Sequence, residues 1–120
     1  MENMNLRNYA YIGDAIWEVF IREKTIKITE NSKKLHKITT EKVKASFQAF
    51  LLQKLDEILT DEEKEIARRA RNLPIPIGRH HIQVEYRQAT AFEVLIGYFH
   101  EHDKERLFFV ENYLEKFIEF

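Results

Sequence analysis

Apolar residues along the chain recur mostly at helical spacing, and that periodicity predicts an all-α compact helical bundle. In a first helix, over about Leu6 to Arg22, the residues Tyr9, Ile12, Ile16, Val19 and Phe20 form one stripe. Asn31 to Ile38 reads as a short helix. Thr39 or Thr40 then caps a longer one, with Val43, Phe47, Phe50, Leu51, Leu55 and Ile58 on its buried side. Thr60 and Glu63 stand at capping-box spacing, at the start of a helix that runs to about Asn72. Another helix is expected over about Gln83 to Glu101. Asp103 caps the last, whose apolar face is Leu107, Val110, Tyr113, Leu114, Phe117 and Ile118.

Only three glycines and two prolines punctuate this pattern. The one clear break is Leu73 to His81, where Pro74 and Pro76 remove backbone donors and favour extended geometry, so an exposed loop is expected there. A chain of 120 residues with 44% hydrophobic content fills one core, and the expectation is a single domain over residues 1–120. The absence of cysteine excludes disulfides, a thiolate zinc site and a cysteine nucleophile, so a metal would be held by oxygen or imidazole. The polar start MENMNLRNYA and the lack of a long apolar run suggest a soluble, cytoplasmic protein without a membrane span.

The net charge of -1 conceals segregation. Residues 22–44 carry Arg22, Lys24, Lys27, Lys33, Lys34, Lys37, Lys42 and Lys44 against Glu23, Glu30 and Glu41 only. Arg68, Arg69, Arg71, Arg79 and Arg87 form a second basic region around the proline loop. Taken alone, charge favours ordinary solvated helix faces over a polyanion-binding surface.

Two carboxylates stand out more sharply. Asp14 shares its helical row with Ala10, Trp17 and Ile21, and the row of Glu93 runs through Tyr86, Ala89, Thr90, Ile96 and Gly97. Burying an ionised carboxylate costs several kcal/mol, so each acid must be protonated, paired with a base, bound to a cation, or turned to solvent at the bundle edge. Gly13 and Gly97 lie within one turn of these acids, in helix interiors where glycine is unfavourable, and would let two helices approach and bring the acids together. Glu18 could add an oxygen or be a surface acid. The histidine pairs His80–His81 and His100–His102 lack a convincing ligand spacing.

The segments YAYIGDAIWE, residues 9–18, and TAFEVLIGY, residues 90–98, resemble the two signature helices of the ribonuclease III catalytic-domain family. Leu35-His36-Lys37, Gln48-Ala49, Arg71-Asn72 and Tyr86-Arg87 fit its minimal branch, Mini-ribonuclease III, which lacks a separate double-stranded-RNA-binding domain. The similarity runs over about Leu6 to Leu114. Ala10 and Thr90 stand where the larger family has two further acids, a reduced set that the minimal branch shares.

The resemblance implies an endoribonuclease that hydrolyses double-stranded RNA to 5′-phosphate ends, with Asp14 and Glu93 as catalytic residues holding Mg²⁺, for which Mn²⁺ can substitute. It also implies a homodimer, since cutting both strands calls for two sites, and precursors of large-subunit ribosomal RNA as substrate. With no auxiliary domain the catalytic domain must bind RNA itself, and Arg68, Arg69, Arg71, Asn72, Lys37 and Arg79 are the candidates. For Arg87 a local ion pair is the stronger expectation, and His36 reads as structural or RNA-facing. The main alternative is a noncatalytic helical RNA-binding or ribosome-assembly module with a degenerate acidic site. A helical protein–protein adaptor would leave both acids and both glycines unexplained.

Overall fold

A computed structural model of the chain describes residues 5–75 and 83–120. The described residues form six helices: α1 Leu6–Thr25, α2 Ser32–Val43, α3 Ala45–Leu55, α4 Asp61–Arg71, α5 Gln83–His102 and α6 Lys104–Glu115. The all-α expectation holds. Several ends are set by local chemistry that the sequence announces. Asn5, Asn31 and Asp103 each accept a backbone N–H of the first turn of α1, α2 and α6. The Thr60–Glu63 capping box is formed in both directions, at 3.1 and 2.9 Å.

Helix α5 is the axis of the bundle. From Ala89 to Phe99 it buries Ala89, Ala91, Phe92, Val94, Leu95, Ile96, Gly97 and Phe99, leaving little of its circumference to water, as befits a helix enclosed by others. Helices α1, α3, α4 and α6 pack around it, and α2 lies on α1. Trp17, fully buried, meets Phe92 edge to face at 5.0 Å, and its indole N–H donates to the Lys42 carbonyl at 2.9 Å. Arg106 ties α6 to the start of α4, donating to both carboxylate oxygens of Glu63 at 2.7 and 3.0 Å and to the Ile58 carbonyl at 2.7 Å.

Two expectations are corrected. Thr39 and Thr40 cap nothing, because α2 runs through them to Val43. The Thr39 hydroxyl is buried against that of Thr25 at 2.8 Å, and the Thr40 hydroxyl donates to the His36 carbonyl at 2.8 Å. The break falls instead at Lys44, whose extended backbone ends α2 and starts α3. Residues able to cap were satisfied instead by a neighbouring helix, for Thr39, and within α2 itself, for Thr40, so their identity misled. The buried stripe of α1 is Tyr9, Gly13, Trp17, Ile21 and Thr25, with Ile12, Ile16 and Phe20 half-buried beside it. Val19 is 53% exposed. The stripe is rotated from the expected one because it includes Gly13 and Thr25, which carry little or no hydrophobic signal.

Candidate functional site

The crossing of α1 and α5 is backbone against backbone. A Cβ built on Gly13 would lie 1.8 Å from the carbonyl oxygen of Glu93, and one on Gly97 would lie 2.0 Å from that of Tyr9. No side chain fits at either place without moving a helix. Asp14 follows the first glycine and Glu93 precedes the second by one turn, so this contact carries both acids to the same spot. The glycine expectation is therefore met in its strongest form.

Asp14 is exposed and Glu93 is half-buried, with the two carboxyls in hydrogen-bonding reach. Burial pushes the Glu93 carboxyl up to about 8, the hydrogen bond and charge of Asp14 push the same way, and the Gln48 amide opposes them. At neutral pH, then, Glu93 holds a proton beside Asp14. A cation placed between two such oxygens would do the work of that proton. The donor set suits a hard divalent ion: carboxylate oxygens only, and one wall open to solvent for water or phosphate. Among the described residues no third Asp, Glu or His joins them in a metal-binding group. Ala10 and Thr90, half-buried on the adjoining turns, offer no carboxylate. The carboxylate of Glu18, one turn beyond Asp14 along α1, pairs with Arg22.

Gln48 escaped notice as a site residue. It is 2% exposed, on a row of α3 that otherwise holds Leu51, Leu52 and Leu55. An amide in an apolar row is the same signal that singled out Asp14 and Glu93, and could have found it.

Of the described candidates from the basic regions, Arg68, Arg69, Arg71 and Asn72 gather at the end of α4 and Lys37 lies on α2. Arg68 is held by Glu65 through two bonds, at 2.8 and 2.6 Å, whereas Arg69 and Asn72 are exposed at the end of α4. Arg71 is half-buried, and Lys37 is exposed on α2. Among the described residues Arg87 makes no ion pair. Its guanidinium donates to the carbonyls of Arg71 and Leu73, at 2.6 and 3.2 Å, satisfying groups that the end of α4 leaves open. Arg7 likewise reaches the Pro74 carbonyl at 2.8 Å. The chain leaving α4 is thus clamped from α1 and α5, the two helices that carry the acids. Arg79, with Pro76, His80 and His81, lies outside the described residues. His102 bonds the Tyr9 hydroxyl at 2.5 Å, a role internal to the bundle.

Comparison with known proteins gives a consistent picture. The family model described as ribonuclease III domain matches residues 7–104. A Mini-ribonuclease 3 from Gloeobacter violaceus is 36% identical over 117 residues, covering 98% of this chain and 87% of that protein. Another from Enterococcus faecalis is 40% identical over 103 residues, covering 82% and 78%. The crystal structure of a Fusobacterium nucleatum protein superimposes with a TM-score of 0.80 at 31% identity, over 95% of this chain and 93% of that one.

Proposed function

The chain belongs to the ribonuclease III family, and from that premise we propose that it is a metal-dependent endoribonuclease that cleaves double-stranded RNA, with Asp14 and Glu93 as its catalytic residues. The observation that carries this reading is the glycine contact, which tolerates no side chain and serves to hold the two carboxyls together. A half-buried carboxyl held protonated by burial and then by its acidic neighbour is an unusual thing to keep in a fold, and a divalent cation is what makes the pair useful.

Asp14 and Glu93 would hold Mg²⁺ or Mn²⁺, with water and RNA phosphate completing a sparse protein ligand set. When bound, the ion supplies Lewis-acid activation of a water and neutralises charge developing on the phosphate, giving a 5′-phosphate and a 3′-hydroxyl. Glu93 would hold such an ion as the ionised carboxylate, and Asp14, the more exposed of the two, would be the acid nearer the solvent side from which RNA approaches. No protein nucleophile is required. Arg69 and Asn72, at the clamped exit of α4, together with Lys37, Arg68, Arg71 and Arg79, would contact phosphates and 2′-hydroxyls across the A-form minor groove. One acidic site per chain cuts one strand, so a two-fold homodimer is part of the proposal. The expected substrate is a precursor of large-subunit ribosomal RNA, processed in the cytoplasm. Among the described residues no helix is long and apolar enough to cross a membrane.

The test is incubation of the purified protein with a long RNA duplex, with and without Mg²⁺. Cleavage should depend on the ion, and Asp14→Asn should lower the rate at least about 1,000-fold while the fold survives. Wild-type rates in Asp14→Asn would sink the site assignment. Duplex binding without cleavage at any Mg²⁺ or Mn²⁺ concentration would favour the noncatalytic RNA-binding module instead.

A further inference from the structure

Among the described residues, one buried side-chain polar atom has no hydrogen-bond partner: Nε2 of Gln48. Buried amides are almost always satisfied, and an orphan of this kind is uncompensated in the state described. Gln48 sits on α3, which packs against α5, and its amide comes close enough to the Glu93 carboxyl to act on it as a donor would. The bond itself is not closed. A carboxylate that ligates a cation through one oxygen keeps lone pairs on the other, which is a strong acceptor for an amide N–H.

We propose that Gln48 is a positioning residue of the carboxylate site, donating through Nε2 to one oxygen of Glu93 when a divalent cation is bound and so orienting the other oxygen toward the cation. The inference rests on the metal-site reading of Asp14 and Glu93. It follows from sparseness: with two carboxylates as ligands and none to spare, the rotation of each one matters, and Asp14 at the solvent edge cannot set the rotation of Glu93 by packing. The buried face of Glu93 is where α3 comes up against it, and Gln48 is the polar group that α3 supplies there. Partners that orient a metal-bound carboxylate typically change affinity 10- to 100-fold when removed.

Gln48→Met separates this role from a structural one, because it keeps the volume and removes the donor. The measurements are thermal unfolding in EDTA and Mn²⁺ binding without RNA, by calorimetry or by the paramagnetic resonance of free Mn²⁺. If Gln48 positions Glu93, metal-free stability should hold or rise, because an orphan amide is gone, while Mn²⁺ affinity falls roughly 10-fold. Cleavage should then need more Mg²⁺ and approach the wild-type rate at saturation. Gln48→Leu repeats the test with a differently shaped side chain, should Met pack badly. Mn²⁺ affinity within twofold of wild type in both variants overturns the proposal, and so does a loss of metal-free stability with affinity unchanged. Glu93→Gln is the control for the underlying reading: if it leaves Mn²⁺ binding intact, the metal site itself is misassigned, a failure distinct from that of Gln48.

Discussion

The two regions that the proposed function needs are built on opposite plans. Where α1 crosses α5, position is set by main chain: carbonyl oxygens occupy the places where Gly13 and Gly97 would carry side chains, and the acids follow from that. At the end of α4, a helix terminus whose carbonyls are clamped by Arg7 and Arg87, the basic side chains sit at the surface, Arg69 exposed and Arg68 tied only to its own-helix neighbour Glu65. A centre that must hold two repelling carboxyls together requires a rigid contact. A surface that meets a phosphate backbone requires charge and reach, both of which tolerate adjustment. Substitutions should therefore act nearly all-or-none at the first region and by small increments at the second.

The sharpest way to break the contrast is at the glycines. Gly13→Ala puts a methyl group within bonding distance of the Glu93 carbonyl, so the helices must part by more than side chains can absorb. The expected cost is about 3 kcal/mol or more in urea unfolding, together with loss of cleavage in whatever fraction folds. Gly97→Ala should behave alike, since its clash is with the Tyr9 carbonyl. Near-wild-type stability and activity in either variant would mean that the crossing is pliable.

A smaller effect comes from the proton on Glu93. In the folded metal-free protein its carboxyl titrates at about 8, above the ordinary 4.5 that the unfolded chain would show. The folded state binds the extra proton in that window, so its stabilising contribution is complete below about pH 4.5 and is lost as pH rises through 8. Glu93→Gln abolishes this dependence. Measured in EDTA from pH 5 to pH 9, wild type should lose about 2 kcal/mol more than the variant, after allowing for the solvent that reaches a half-buried group. Glu111, raised to about 7 by burial and by Glu23, adds a slope of the same sign to both proteins and cancels in the difference. Parallel pH profiles would show that the fold does not hold a proton on Glu93.

How far each region was legible in the sequence follows from the same contrast. Asp14, Glu93, Gly13 and Gly97 were readable because each violates its helical row: charge or missing bulk where packing would put an aliphatic side chain. Gln48 broke its row in the same way and was passed over, because an amide carries no formal charge to prompt the question. The α2–α3 boundary was not readable, since Thr39 and Thr40 have capping chemistry but spend it on Thr25 and on the His36 carbonyl, a choice made by tertiary contact and by the helix itself. The role of Arg87 was equally hidden. Charge suggested an anion, and the need came from open carbonyls at a helix end 14 and 16 residues away.

The smallest effects belong to the basic surface, and they can be ranked. Arg69 is exposed, while neighbouring Arg68 is already gripped by both oxygens of Glu65. To meet a phosphate, Arg68 would have to give up that pair or bring along a carboxylate that repels the RNA. Arg69→Ala should therefore weaken duplex binding several-fold, with little regard to sequence, and lower the slope of log K against log salt by about one. Arg68→Ala should do less on both counts, because the counterion that RNA would release there has been replaced by Glu65. Titrations of each variant with a short RNA duplex at several salt concentrations make the comparison. A larger loss from Arg68 than from Arg69 would mean that the pair with Glu65 opens on binding, and that the second region is more organised by its ligand than its free form implies.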